Sequence, residues 1–323
     1  MVKKLRVAVL MGGDSSEREV SLQSGQAVLA NLDPAKYEAI AVELHGLTAD
    51  PDSLPAELRN GHIDLAFLVL HGGAGEDGRL QQALAQVGLR YTGSGPRASA
   101  QALDKIVARR IFQQAGLRVP RGQGFRCLSP AQLGAAGAEA RSSLGLPLVV
   151  KPACEGSTIG ITIVREEKEL LPAFELARRY GADLLVEQFI AGRELTAAVI
   201  GNASPRVLPL IEIVPRSGFY DYHAKYIASD TDKIVPAPLP EKLAEEVRRM
   251  AAAAYQALGC RGFARVDFIV TESEVYLLEV NTIPGMIGDH SLVPCAARAA
   301  GMPLPALLDE IVQLALEEGS HEA

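Results

Sequence analysis

Two short runs in the last third of the chain carry residues that could hold a cation. Phe263-Ala264-Arg265-Val266-Asp267-Phe268-Ile269-Val270 and Val275-Tyr276-Leu277-Leu278-Glu279-Val280-Asn281 alternate apolar with polar residues, as half-buried strands do. Ala264, Val266, Phe268 and Val270 share one face, as do Tyr276, Leu278 and Val280. If both sets enter one core, an odd-length turn centred on Ser273 sets Asp267 opposite Glu279 and Arg265 opposite Asn281. Directly opposed carboxylates repel, and a divalent cation between them removes the conflict. Two carboxylates with an amide oxygen suit Mg²⁺, which takes a few protein oxygens and leaves the rest to phosphates and water. The competing reading is a solvated hairpin face whose carboxylates are screened by water. The turn that follows, Asn281-Thr282-Ile283-Pro284-Gly285, favours a site.

The elements that must position such a hairpin change character along the chain. In the first third strands alternate with helices. Arg6 to Met11 reads as a buried strand turned by Gly12-Gly13, and Ser16 to Glu19 fits a capping box that starts a helix running to about Leu32. Leu65 to Leu70 reads as the second strand, followed by a glycine-rich loop from His71 to Gly78 and a helix from Arg79 to Val87. Such alternation implies a parallel sheet with ligands gathered at its carboxyl ends. Gly93-Ser94-Gly95-Pro96 marks a boundary, and one helix is expected over Ala98 to Gln114. Strands are expected at Leu148–Lys151, Gly160–Val164, Leu184–Ile190 and Glu194–Ile200, with a helix from Glu241 to Leu258. An aromatic-rich loop covers Ser217 to Tyr226. The pattern divides the chain into residues 1–94, 95–190 and 191–323.

Composition narrows the function classes. The 323 residues are 48% hydrophobic and 22% charged, as in ordinary globular proteins. The net charge of −7 offers no basic footprint for nucleic acid. No apolar run is long enough to span a bilayer, and Val7 to Met11 is too short for a secretory h-region. Cys127, Cys154, Cys260 and Cys295 form no paired motif, so reduced thiols in a cytoplasmic protein are expected.

Arg265-x-Asp267, Glu279-x-Asn281 and Asn281-Thr282-x-Pro284-Gly285 resemble the metal-binding end of the ATP-grasp fold. The rest of the chain resembles one family with that fold, the D-alanine–D-alanine ligases. The resemblance rests on an ordered set spanning nearly the whole chain: Gly12-Gly13, Glu17-Arg18-Glu19-Val20-Ser21, His71-Gly72 with Gly75-Glu76-Asp77-Gly78, Tyr91-Thr92-Gly93-Ser94-Gly95, Asp104-Lys105, Val150-Lys151-Pro152, Glu155-Gly156-Ser157, Tyr220-Asp221-Tyr222 with Ala224-Lys225-Tyr226, and His290-Ser291-Leu292-Val293-Pro294. It implies an α/β and α+β protein, with an N-terminal parallel-sheet, Rossmann-like domain followed by a two-part ATP-grasp fold. It also implies a bacterial enzyme of peptidoglycan synthesis that joins two D-alanines through a D-alanyl phosphate, using ATP and two Mg²⁺ or Mn²⁺ ions, as a homodimer.

The resemblance assigns roles that physical chemistry supports. Lys105 and Lys151 bring positive charge to the ATP phosphates, although a lone lysine also reads as a solvated surface residue. The Glu155-Gly156-Ser157 loop can turn backbone N–H groups onto phosphate oxygens. Glu187, Gln188, Phe189 and Ile190 resemble the segment whose backbone reads adenine, and Glu194 the residue that holds the ribose. Glu17 either stabilises a helix start or anchors the ammonium of the first D-alanine, with Ser157 and Tyr226 completing the group. Arg265 and Ser291 would hold the carboxylate of the second D-alanine, and Arg265 with the Gly285 N–H would face the oxyanion. His71 is either a substrate contact or a structural hydrogen-bonder. Lys225 would reach the γ-phosphate from a closing lid. Asp267, Glu279 and Asn281 would hold the metal. A neutral Tyr226 on the lid implies a second substrate that attacks as an amine rather than a hydroxyl. Gln188 stands where the family usually has lysine, Cys154 and Thr158 are atypical neighbours of Ser157, and Ile287-Gly288-Asp289 is one residue longer than usual.

Two readings from other classes compete. A nicotinamide dehydrogenase would explain the first strand and Gly-Gly turn, but G-x-G-x-x-G is missing and the Asp267/Glu279/Asn281 group goes unused. A non-catalytic nucleotide-binding regulator would not need Glu17, Ser157 and Tyr226. Within the fold, other amine ligases are the nearest rival.

Overall fold

The computed structural model describes residues 3–127, 129–215 and 231–317. Three sheets carry the chain. The first is parallel and is made from β1 (Leu5–Gly12), followed by α1 (Arg18–Asn31), β2 (Tyr37–Leu44), a single-turn α2 (Ala56–Arg59) and β3 (Leu65–Leu68). Its order is β2-β1-β3, with Val7 beside Leu65 and Leu5 beside Tyr37. β1 is nearly continuous in apolar residues because helices and sheet cover both its faces. Strand β2 is absent from the sequence reading: neither of its faces is buried along its whole length, Tyr37 entering one core and Val42 and Leu44 another on the opposite face, so no period-2 signal shows. It takes the place of second strand from Leu65–Leu70, and β3 ends at Leu68.

α3 (Arg79–Gln86), α4 (Pro96–Leu103) and α5 (Lys105–Gln114) follow. The single helix expected over Ala98–Gln114 is broken at Asp104, whose carboxylate accepts from the N–H groups of Ile106 and Val107 at 2.9 and 3.1 Å. An acceptor there starts a fresh helix, so Lys105 sits at a helix start rather than mid-helix.

The second sheet is antiparallel: β4 (Gly122–Arg126), α6 (Pro130–Leu144), β5 (Leu148–Pro152), β6 (Thr162–Val164), α7 (Leu170–Arg178) and β7 (Asp183–Gln188), in the order β4-β7-β5-β6. The third holds β8 (Arg193–Ile200), β9 (Arg206–Val207), β10 (Ile211–Pro215), β11 (Thr231–Ile234), α8 (Glu241–Leu258), β12 (Phe263–Val270) and β13 (Val275–Asn281). Its order is β11-β10-β8-β12-β13, with β9 beside β8. α9 (Leu292–Ala299) and α10 (Leu304–Leu316) follow.

The pairing of the hairpin agrees with the sequence at the site and departs from it at the turn. Arg265 faces Asn281 and Asp267 faces Glu279, but a bulge at Asp267/Phe268 then pairs Phe268 with Leu277 and Val270 with Val275. The turn therefore holds an even number of residues and is not centred on Ser273. The extra residue, Leu278, reverses the faces of the strand's first half: Val275 and Leu277 are buried with Phe268, while Tyr276 and Leu278 turn to the other side.

The cores show how the sheets are joined. Val7, Val9, Phe67 and Val69 of the parallel sheet share one core with Ala198, Ile200, Phe263, Leu307 and Ile311. The second sheet has its own, built from Leu148, Val150, Phe174, Leu184 and Val186. No single helix among the described residues is long and apolar enough to cross a membrane. α9 and α10 are apolar enough as a pair, but they bend by 106° and pack in the shared core.

Candidate active site

The two antiparallel sheets face each other across a cleft of about 160 Å³. Val149, Ile163, Phe189, Ile269 and Leu278 give it apolar walls, and Lys151, Glu187, Glu194, Asp267 and Glu279 stand at its polar margin. Gln188 and Ile190 complete the lining. A flat heteroaromatic ring with a polar tail suits such a slot. The alternation of β5 and β7 sends Lys151 and Glu187 into the cleft's end, where Lys151 Nζ lies 2.6 Å from Glu187 Oε2. Glu187 is thus a charge partner as well as a lining residue of the cleft. Its other oxygen accepts from Arg109 at 2.9 Å.

A second, smaller cavity of about 30 Å³ adjoins the first, and Glu279 lines both. Glu17, His71, Glu76, Gly156, Ser157, Arg265, Asn281 and Gly285 surround it. The capping box expected at Ser16–Glu19 does not form. Glu17 is the N-cap of α1, yet its carboxylate makes no capping bond and instead accepts the Ser157 hydroxyl across the cavity. Ser15 takes over locally, accepting from the Glu17 N–H at 3.2 Å and donating to the His71 carbonyl at 2.5 Å. Gly156 is required for this approach: a Cβ there would lie 2.8 Å from a Glu17 carboxylate oxygen. Ser157 and Thr158 are the two non-glycine residues among those described with positive φ, at 49° and 64°. Consecutive left-handed residues cost free energy and mark loops held in shape for a ligand. Lys105 donates to the Glu155 carbonyl at 2.5 Å, pinning that loop, and lies 3.4 Å from Glu279.

On the hairpin, Arg265 grips Asp267 with two nitrogens, Nε at 2.9 Å from Oδ1 and Nη2 at 2.8 Å from Oδ2. Thr196 donates to Asp267 Oδ1 at 2.6 Å, and Asn281 Nδ2 to Oδ2 at 3.0 Å. Asp267, Glu279 and Asn281 stand together as foreseen, and their oxygen chemistry fits a hard divalent cation at the mouth between the two cavities. Ser291 lies at the start of α9, its Oγ accepting from the Ile287 N–H at 2.8 Å. A Cβ on Gly285 would come within 2.9 Å of that oxygen, so Ser291 and the Gly285 backbone are neighbours despite the longer loop. A helix start beside Gly285, which lines the cavity together with Arg265, favours a carboxylate.

His71 is held by structural hydrogen bonds while it also lines the smaller cavity. Nδ1 donates to the Ile283 carbonyl at 2.8 Å and Nε2 accepts from Ser24 at 3.1 Å, whose oxygen also accepts from the Met286 N–H at 3.2 Å. Burial holds the ring below its usual range, against the pull of Glu17's charge, and so keeps it neutral. Glu76 accepts from the N–H groups of Gly72 and Ile283 at 2.7 and 3.3 Å. Burial, reinforced by the charge of Glu17, pushes its carboxyl up to about 7. Tyr226 and Lys225, with the rest of the aromatic loop, lie outside the described residues.

Arg109, Thr196, Glu76 and Ser24 were not singled out from sequence. Arg109 was legible: it lies four residues after Lys105, on the same helical face. Thr196 and Ser24 act through partners far away in the chain, and Glu76 joins the nearby Gly72 to the distant Ile283, which no local pattern reveals.

Comparison with known proteins shows the family. Residues 6–49 and 48–94 match the family model described as D-ala D-ala ligase N-terminus, and residues 111–313 the one described as D-ala D-ala ligase C-terminus. The D-alanine–D-alanine ligase of Desulforudis audaxviator is 49% identical over 313 residues, 97% of this chain and 99% of that one. That of Moorella thermoacetica is 47% identical over 318 residues, covering 97% and 100%. Among solved structures, the VanG D-Ala:D-Ser ligase from Enterococcus faecalis superposes with a TM-score of 0.83 at 32% identity, covering 97% and 100%. The Bacillus anthracis D-alanine–D-alanine ligase complexed with ATP gives 0.81 at 33%, covering 97% of each chain. With both family models matched in order and the paired cavities in place, the chain belongs to the D-alanine–D-alanine ligase family of the ATP-grasp superfamily.

Proposed function

We propose that the protein joins two D-alanines into D-alanyl-D-alanine for peptidoglycan synthesis, with conversion of ATP to ADP and phosphate. The observation that carries this reading is the pair of adjoining cavities sharing Glu279, one shaped for a nucleotide and one for a small zwitterion. The first D-alanine sits with its ammonium on Glu17 and Ser157. A carboxylate oxygen attacks the γ-phosphorus, ADP leaves, and a D-alanyl phosphate forms. The second D-alanine rests its carboxylate on Arg265 and the Ser291 helix start. Its amine, having lost a proton, attacks the acyl carbon. Arg265 and the Gly285 N–H face the developing oxyanion, the C–O bond to phosphate breaks, and the peptide bond remains.

Lys105 and Lys151 orient the phosphates, the backbone of Glu187 to Ile190 reads adenine, and Glu194 holds the ribose. The resemblance assigns Tyr226 to the Glu17 group and Lys225 to the γ-phosphate, and both lie outside the described residues. Asp267, Glu279 and Asn281 would hold Mg²⁺ or Mn²⁺, two ions in all, whose chemistry is to neutralise phosphate charge. The assembly is a homodimer, which analytical ultracentrifugation checks.

The deciding measurement is phosphate release from ATP and Mg²⁺ with D-alanine, L-alanine or no amino acid. Release with D-alanine alone is expected; equal turnover with L-alanine would sink the assignment. Competition between D-alanine and D-lactate at pH 7 tests the second site, where D-alanine should win.

A further inference from the structure

We propose that Arg109 is a positioning residue for the nucleotide: it neutralises Glu187, so that Lys151 keeps an uncancelled charge for the phosphates. This rests on the ATP-dependent reading of the site. Three buried side chains form the chain of charge. Glu187 is 4% exposed, Lys151 6% and Arg109 8%. The two carboxylate oxygens of Glu187 are divided between the cations, Oε1 to Arg109 at 2.9 Å and Oε2 to Lys151 at 2.6 Å. Lys151 and Glu187 alone would be a buried neutral pair, which presents no net charge to a polyanion. Arg109 brings the cluster to a net charge of +1.

Its placement suits that role. Lys151, Glu187 and Pro120 line the nucleotide cleft, and Arg109 is not among the lining residues. The guanidinium is held by a hydrogen bond from Nη1 to the Pro120 carbonyl. An arginine stays charged at every working pH. On α5, Lys105 and Arg109 are spaced i and i+4, so one helical face sends a cation to Glu279 and a cation to Glu187. Without Arg109, all the negative charge of Glu187 would fall on Lys151.

The test compares a non-hydrolysable ATP analogue with adenosine, each titrated calorimetrically without D-alanine. Arg109→Met should weaken the analogue roughly tenfold and adenosine by less than about twofold, since a unit charge acting through an effective dielectric of about 20 is felt by the phosphates. Arg109→Lys should bind both ligands as the wild type does. The double variant Arg109→Met/Glu187→Gln restores the net charge of +1 and should recover the analogue's affinity. A purely structural role predicts loss of both ligands and no recovery. Equal losses for the two ligands, no loss at all, or a double variant as weak as Arg109→Met overturns the proposal. If Arg109→Met does not fold, the double variant, with no carboxylate left unpaired, carries the comparison by itself. Wild-type protein that binds the analogue but releases no phosphate with D-alanine would sink the proposed reaction without touching this inference.

Discussion

Glu17 caps a helix in position but not in chemistry: its carboxylate is turned across a cavity to Ser157, and Gly156 leaves room for it. This was half legible in sequence. The acidic residue at a helix start is visible in the local pattern, whereas its partner Ser157, 140 residues away, is reached only through the family resemblance. The hairpin carboxylates face each other as the alternation pattern predicts, but they do so through an even turn and a bulge rather than through the odd turn the pattern implies. Asp267→Asn keeps their shape and removes one charge. Activity should fall roughly a hundredfold or more, given the several kcal/mol of charge stabilisation a metal supplies, and Mn²⁺ affinity measured by electron paramagnetic resonance should fall with it; near-normal turnover at millimolar Mg²⁺ would refute the ligand set. His71 and Glu76 give a pH test with opposite signs. The His71 ring is held below its usual 6.5, so below that pH the unfolded chain takes up a proton the native state refuses, and stability falls as pH falls. The Glu76 carboxyl rises from 4.5 to about 7, so across that window the native state keeps a proton the unfolded chain has lost, and stability falls as pH rises. Urea denaturation of Glu76→Gln should therefore show stability dropping on acidification from pH 6.5 to 5, and His71→Gln the reverse. Matching slopes in the two variants would contradict the assignment.

Elements were read best where one period persists. The helix Glu241–Leu258 stands where expected because its apolar face repeats over 18 residues. The edge strand β2 and the bulge beside Asp267 depend on contacts from outside the local pattern, whereas the break at Asp104 is local, its carboxylate capping the next helix two and three residues on. The bulge matters most. An even turn and one extra residue cancel in register, so the site pairing agrees with an odd turn while the strand's outer half is reversed. Leu277 and Leu278 consequently have different duties although adjacent and identical. Leu277→Ala should cost about 2–5 kcal/mol of stability, as a fully buried leucine does, with little change in KM for ATP. Leu278→Ala should cost about 1 kcal/mol or less and raise KM for ATP several-fold. Thermal unfolding and steady-state kinetics on the two variants separate these outcomes; equal destabilisation would mean the faces are not reversed.

At the scale of the whole molecule, sequence order and core membership disagree. The cuts near residues 94 and 190 follow the motifs, whereas the largest core joins β1 and β3 to α9 and α10 near the other end of the chain. Polar contacts repeat that linkage: Tyr37 donates to Asp309 at 2.5 Å, and Lys36 lies 2.9 Å from the same carboxylate. Ile311→Ala should therefore loosen β1 and β8 together, at about 2–5 kcal/mol, and leave β5 and β7 alone. Hydrogen exchange read by mass spectrometry checks this; loosening confined to α10 would contradict a shared core. The same linkage bears on how the chain is made. A ribosome delivers β3 roughly 240 residues and β1 roughly 290 residues before α10, at about 5–20 residues per second. Until then the sheet face built on Val7, Val9 and Phe67 has no cover from Leu307, Leu308 and Ile311. The middle sheet, complete from its own residues, can settle first. During synthesis the nascent protein therefore carries its earliest-made strands as its last unfinished surface, the one a chaperone would hold.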